Sequence, residues 1–156
     1  MMRGLRENGV EVIECNTREP SNKKYFELIK KYWSLKKKIE VMVVGFPGHT
    51  IMPLAFLLAK LCGKKIVFDA FVSLYDSIIL DRKQYRKISL KALKYWLIDF
   101  VSTHLADMVL LDAEAHAVYI RKEFKLKKEK VKAILVSCDD KIMYPRKVKL
   151  ATKDYF

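Results

Sequence analysis

Apolar residues along this chain follow two periods in turn. Runs of strand length lie at residues 9–15 (GVEVIEC, carrying Val10, Val12 and Ile13), 41–44 (VMVV), 65–69 (KIVFD), 107–112 (DMVLLD) and 131–136 (VKAILV). Such short apolar runs bounded by polar or glycine-containing turns read as buried strands. Between them the period lengthens to that of a helix. In residues 23–39, Tyr25, Leu28, Ile29, Tyr32, Leu35 and Ile39 recur at helical spacing and leave lysines on the opposite side. Residues 50–61 are apolar almost all round, which predicts a deeply packed helix stopped by Gly63. A longer helix is predicted over 88–105, with Leu93, Trp96, Leu97, Phe100, Val101 and His104 on one face, and a last one from Asp112, read as its N-cap, to about Phe124.

Strands alternating with helices across short connections predict an α/β fold. The expected form is a doubly wound, Rossmann-like parallel sheet of about five strands with helices on both faces. One domain is expected over residues 1–145, and residues 146–156 (RKVKLATKDYF) read as a linker or the beginning of something further. Neither internal repeats nor low-complexity tracts interrupt this pattern.

Composition narrows the class. A chain of 156 residues, 51% apolar and 31% charged, can bury roughly 70% of its unfolded surface, so disorder and a disulfide-built scaffold are poor readings. Cys15, Cys62 and Cys138, an odd count far apart, fit reduced thiols packed as small apolar residues. The most apolar run, residues 51–59, contains Pro53 and ends at Lys60, short of the roughly 20 residues of a membrane span. No secretory leader is legible either, which places the expected location in the cytoplasm, with attachment to the inner face of the membrane as a variant of it.

Charge adds a direction. The net charge is +13, and it is concentrated: residues 23–38 hold seven lysines against Glu27, residues 82–98 hold six Lys or Arg and no acid, and residues 121–132 hold seven against Glu123 and Glu129. A basic excess of this kind suits anionic partners, whether nucleic acid, acidic headgroups or phosphorylated ligands, or else a lysine-rich solvated surface. The 23–38 helix, with Tyr25, Phe26, Tyr32 and Trp33 beside its lysines, suits an anionic membrane surface.

In an open parallel sheet, ligands bind beyond the carboxyl ends of the strands, where helix N-termini converge. Candidate chemistry therefore reduces to a few stretches. Gly48 and His49 precede an apolar helix and suit an anion or a sugar hydroxyl. Asp69 ends a buried strand and is followed by Ser73, Tyr75, Asp76, Asp81 and Arg82, a dense set of hydrogen-bonding side chains. Asp112, Glu114 and His116 lie within one turn of a helix start, and Asp139 with Asp140 follows the last strand. Glu114 and His116, two apart, do not share a helical face, so no metal site is expected from that triplet. Phosphate-loop, dinucleotide-binding, CxxC, HExxH and GxSxG motifs do not occur.

The order of these pieces resembles a known family. The GVEV strand, the strand ending VVGFPGH, the run FDAFVSLYDSIILDR, the string ADMVLLDAEAH followed by Tyr119, and a final strand with Asp139-Asp140 before Tyr144-Pro145 are similar to the amino-terminal domain of family-4 glycosyltransferases of the GT-B fold. The likeness spans residues 3–145. It implies the acceptor-binding half of an enzyme that transfers a hexosyl group from a nucleotide sugar without a catalytic metal. Gly48, His49, Asp69, Ser73, Tyr75, Asp76 and Arg82 would then lie on the acceptor side, and Asp112, Glu114 and His116 near the cleft with a second domain.

Departures from the family pattern set further expectations. The strand and glycine-rich turn that open the family are lacking, Ser137 stands where the family has a glycine-containing turn, and Ala113 stands where Thr is usual. The donor domain has no counterpart, so the chain reads as truncated at both ends. Alone it is expected to be inactive, to carry no cofactor, and to depend on a donor-domain polypeptide or a lipid-linked acceptor. Without the first strand, the 9–15 and 65–69 strands would flank a gap, to be closed by pairing the two directly or by a strand borrowed from a partner, or else left partly unfolded with sticky edges. The alternative function is a small basic nucleic-acid-binding module, in which Tyr25, Tyr32, Trp33, Tyr85 and Tyr95 would stack bases.

Overall fold

The computed structural model describes residues 2–135. The fold is α/β, built on four parallel strands in the order in which they occur along the chain. The strands are β1 (Val41–Val44), β2 (Lys65–Phe71), β3 (Met108–Leu111) and β4 (Val131–Ala133). The helices are α1 (Met2–Glu7), α2 (Lys23–Leu35), α3 (Met52–Leu61), α4 (Leu90–Leu105) and α5 (Glu114–Glu123). A tight 3-10 turn at Gly48–Ile51 leads into α3, and a π-helical turn at Asp76–Asp81 follows β2. The candidate residues Ser137, Cys138, Asp139 and Asp140, and the segment 146–156, lie outside the described residues.

Four strands form, not five. Residues 9–15, expected as a strand, pair with no other strand, despite the alternation of Val10 and Val12. Their contacts are local: Val10 N–H donates to Leu5 C=O at 3.0 Å, and the Cys15 thiol approaches the Leu28 carbonyl at 3.9 Å. The gap expected beside the 65–69 strand is closed, because β1 pairs with β2 directly, Val41 to Lys65 through Val44 to Phe68. Among the described residues β1 and β4 are therefore the two edge strands of the sheet.

One face of the sheet carries the core. Val44 on β1, Ile66, Phe68 and Ala70 on β2, Val109 and Leu111 on β3, and Val131 on β4 form a single apolar cluster with Met52, Ala55 and Ala59 of α3 and Ala117, Ile120 and Phe124 at α5. Trp96 and Phe100 of α4 join it, with Trp96 meeting the Phe124 ring at 5.5 Å. Residues of α3, α4 and α5 thus pack in one cluster against the same strand residues, as consecutive parallel strands with crossovers of one hand require. Side chains of the alternate register point the other way. Val41 and Val43 are exposed, Val67 and Asp69 half-buried, and Met108 is exposed. The two-sided cover expected from the sequence requires strands on both sides of β1, and 9–15 does not supply one.

Local choices match the elements. Gly63 takes φ +64° just past α3, the left-handed position that favours glycine. Gly48 is buried against Val44, where an added Cβ would come within 2.4 Å of a Val44 methyl. Tyr32 of α2 is buried and its hydroxyl donates to the Leu58 carbonyl at 3.1 Å, tying α2 to α3. In α4 the buried side is Ala92, Asp99, Ser102 and Thr103, while the expected core residues Leu93, Leu97 and Val101 are exposed. Small residues win that side because they allow close approach, and Ser102 Oγ donates to the His49 carbonyl at 3.0 Å.

β1 carries no proline, charge or bulge, the devices that protect an exposed strand edge. The chain is therefore expected to self-associate with rising concentration. Val43→Lys places a charge on that edge at a half-exposed position, and sedimentation velocity should show reduced association with the melting temperature unchanged.

Candidate functional site

The carboxyl ends of β2 and β3 build the site. β2 runs apolar through Ile66–Phe68 and then bends at a register shift between Asp69 and Phe71, and Phe71 adopts φ +61°, a conformation costly for a bulky side chain. The Asp112 N–H donates to the Phe71 carbonyl at 3.1 Å, which locks the two strand ends together. Beyond the bend, residues 73–75 are held by one side chain. Asp99, fully buried on α4, accepts from Ser73 Oγ at 2.7 Å, Tyr75 N–H at 2.8 Å and Leu74 N–H at 3.2 Å. Ser73 Oγ in turn accepts from Asp76 N–H at 3.0 Å and so starts the next turn.

That turn is π-helical, with Arg82 N–H donating to the Ser77 carbonyl at 3.1 Å. Its wider turn, closed by bonds between residues five apart, brings such residues to one side. As a result Asp76, Ser77, Leu80 and Asp81 face a common cavity of 570 Å³, completed by Val72 and His116. Neither Lys nor Arg lines it. His116 is fixed from below, since its Nδ1 lies 2.5 Å from Asp112 Oδ1, one helical turn earlier. With Nδ1 engaged, Nε2 is the ring atom left for a ligand.

The sequence candidates thus divide into groups. Asp76 and His116 meet at the cavity, and Asp112 serves it by holding His116. Ser73 and Tyr75 serve it from behind through Asp99. Asp112 does not cap α5, whose N-cap is Ala113 without a side-chain hydrogen bond. Glu114 turns outward to Arg121, 2.7 Å away, and Arg82 is exposed at the end of the π-turn; neither lines the cavity. Asp69 is half-buried, and that burial raises its pKa, with the Phe71 backbone N–H pulling it partly back. Gly48 is a packing glycine.

His49 is buried in the core rather than open to a ligand. Its ring meets Phe68 edge-on at 4.9 Å and Phe46 at 5.9 Å, its Nε2 lies 3.6 Å from Asp99 Oδ1, and its Nδ1 is buried without a hydrogen-bond partner. Burial pushes the imidazole down to about 4, against a smaller opposing effect of the Val72 backbone, so it is neutral at pH 7. Burial raises the Asp99 pKa, and its three donors act to lower it.

Asp99 and the cavity residues Ser77 and Asp81 complete the arrangement. Asp81 stood in the sequence among the polar cluster after Asp69, but Asp99 did not stand out. Its signal was an acid inside an apolar helix, directly after a stretch of seventeen residues, 82–98, without one. Among the described residues, no cluster of three or more His, Cys, Asp or Glu could hold a metal ion, and no helix is long and apolar enough to cross a membrane. No protein-family model matches this chain, and no curated protein or solved structure matches it.

Two outcomes follow. Asp99→Ala strands two N–H groups and a hydroxyl at a buried position, each worth roughly 1–3 kcal/mol, so denaturant unfolding should show a loss of at least about 3 kcal/mol, with Asp99→Asn losing less. For His49, the folded pKa lies below the unfolded value of about 6.5, so its contribution to stability is complete above that pH and is lost as pH falls toward about 4. Between pH 7 and 4.5 the wild type should lose about 2 kcal/mol more than His49→Gln. Asp99, shifted the other way and 3.6 Å from the His49 ring, titrates together with it, so the difference reads the pair.

Proposed function

We propose that this chain is an acceptor-binding domain of the glycosyltransferase type, one half of a system that transfers a hexosyl group from a nucleotide sugar supplied on another polypeptide or domain. The observation that carries this reading is the cavity at the carboxyl ends of β2 and β3, lined by Asp76, Ser77, Asp81 and His116. Sugar hydroxyls are both donors and acceptors, and the lining offers both kinds of partner. The two carboxylates accept, the Ser77 hydroxyl does either, and the His116 ring, set by Asp112, presents its outer nitrogen. Val72 and Leu80 supply apolar surface for a ring face.

The same lining excludes anions. With two carboxylates and no Lys or Arg, the cavity favours a neutral, hydroxyl-bearing acceptor over a phosphorylated one, although the chain as a whole is strongly basic. The likeness of residues 3–145 to the amino-terminal half of family-4 enzymes points to the same class of ligand. A phosphate cradle for a donor is not part of this arrangement, so the donor-side chemistry belongs to the proposed partner.

A base-stacking surface for nucleic acid finds less support. Tyr32 is buried, Trp33 lies under the Lys36 ammonium at 3.7 Å, and Tyr85 and Tyr95 stack on each other with Lys91 at 4.2 Å over the Tyr85 ring.

The test is a titration of the isotope-labelled chain with neutral hexosides, their phosphorylated counterparts and nucleotide sugars, read by backbone amide shifts. Saturable shifts at residues 72–81 and 116 are expected with a neutral hexoside alone, and Asp76→Ala and His116→Ala should each weaken binding by about tenfold, the worth of one or two hydrogen bonds. Saturable binding of the nucleotide sugar at these residues, with no response to any neutral sugar, would contradict the reading.

A further inference from the structure

The solvent side of α4 is the least expected surface of this protein. A surface helix ordinarily turns its large apolar side chains inward and its polar ones outward. α4 departs from this: Trp96 and Phe100 pack on the core, but its fully buried positions are Ala92, Asp99, Ser102 and Thr103, and its outer side carries Leu90, Leu93, Leu97 and Val101, exposed by 87%, 52%, 44% and 39%. The spacing of three, four and four residues keeps these in one stripe along the helix. Ile88, in the loop that leads into the helix, is 99% exposed and extends the stripe by a further large side chain.

Cations border this stripe. Arg82, Lys83, Arg86, Lys87, Lys91 and Lys94 all lie between residues 82 and 98, a stretch without any acid. Among the described residues Arg86, Lys87 and Lys94 have no ion pair. Arg86, Lys87 and Ile88 also line a second cavity, of 440 Å³, so two free cations and the most exposed apolar side chain open on the same space.

We propose that this face of the molecule, the 86–89 loop with the outer stripe of α4, docks on an anionic lipid surface. The two halves of the surface each need what such a bilayer supplies. Ile88, Leu90, Leu93 and Leu97 enter the boundary between headgroups and acyl chains, and Arg86, Lys87, Lys91 and Lys94 remain at the level of the headgroup phosphates. Charge complementarity selects the occupant: a neutral protein groove would satisfy the leucines but leave the unpaired cations without partners. A nucleic acid would satisfy the cations and leave Ile88 and Leu90 in water. Leu90 stands at the first position of α4, so the stripe begins at the loop, where chain termini of the helix permit shallow entry without breaking backbone hydrogen bonds. The proposal does not depend on what the acceptor cavity binds.

It also moves the membrane-facing surface away from α2. Tyr32 of that helix is buried, Trp33 is half covered by Lys36, and Phe26 alone of its aromatics stands fully open.

The experiment is co-sedimentation of the full chain with vesicles of phosphatidylcholine alone and of phosphatidylcholine mixed with phosphatidylglycerol, at low and raised salt. Binding is expected to the mixed vesicles only and to fall with salt. Ile88→Glu with Leu90→Glu alters two side chains that make almost no internal packing, and circular dichroism should show the fold unchanged. That variant should bind at least about tenfold more weakly. Lys91→Gln with Lys94→Gln should bind more weakly and lose part of the salt dependence, while Phe26→Ser on α2 should leave binding unchanged. Equal binding to neutral and mixed vesicles would overturn the proposal. So would full retention of binding by the Ile88→Glu, Leu90→Glu variant, or tighter binding to a single-stranded RNA that this variant leaves intact.

Discussion

A single buried carboxylate, that of Asp99, is the constraint on which the arrangement at the strand ends depends. It sits inside α4 and accepts from the Ser73 hydroxyl and from the backbone N–H groups of Leu74 and Tyr75. A loop leaving a parallel strand must find partners for its backbone groups or remain in water, and Asp99 satisfies two backbone N–H groups and a hydroxyl at once. The consequence is geometric. Ser73, fixed in this way, caps the following turn, the turn takes the wide π-helical form, and Asp76 and Asp81 come to face the same cavity as His116. Helix α4 thus places the site although it contributes no side chain to the cavity wall.

Much of this framework was legible in the sequence because it rests on local patterns. The apolar runs at 41–44, 65–69, 107–112 and 131–136 became β1 to β4, and the periodic stretches between them became helices, with Gly63 ending α3 where its left-handed conformation is needed. Two features were not legible, for different reasons. Residues 9–15 have the alternation of a strand, but a strand exists only through its neighbour, and pairing is a property of topology that alternation does not encode. In α4 the large apolar residues suggested one face and the structure buries another. Packing against α3 and the 48–51 turn selected small residues with hydroxyls and the buried acid Asp99, so residue size and hydrophobicity pointed to the wrong side. Within the candidate site, Asp76 and His116 were legible as polar groups after buried strands, whereas the role of Asp99 depended on a contact twenty-four to twenty-six residues away in sequence.

The surface of the molecule separates charge and polarity in a way that bears on its role. The cavity at the strand ends is bordered by carboxylates, the outer face of α4 is apolar with lysines and arginines around it, and the free edge and second face of the sheet are apolar at Val41, Val43 and Met108. These regions suit different partners. A neutral polyhydroxyl ligand fits the first, an anionic bilayer the second, and another strand the third. The proposed acceptor role draws on the first of these regions and the proposed membrane contact on the second.

The most direct measurement of the central claim is native-state hydrogen exchange at the backbone amides of Leu74 and Tyr75. If Asp99 pins the loop that forms the cavity, these two amides are protected as strongly as those of the central strand residues Phe68 and Val109, and the protection disappears in Asp99→Ala before that of the strands. Amides at 74 and 75 that exchange as freely as the exposed loop around Lys83 would show that the carboxylate does not hold the site together.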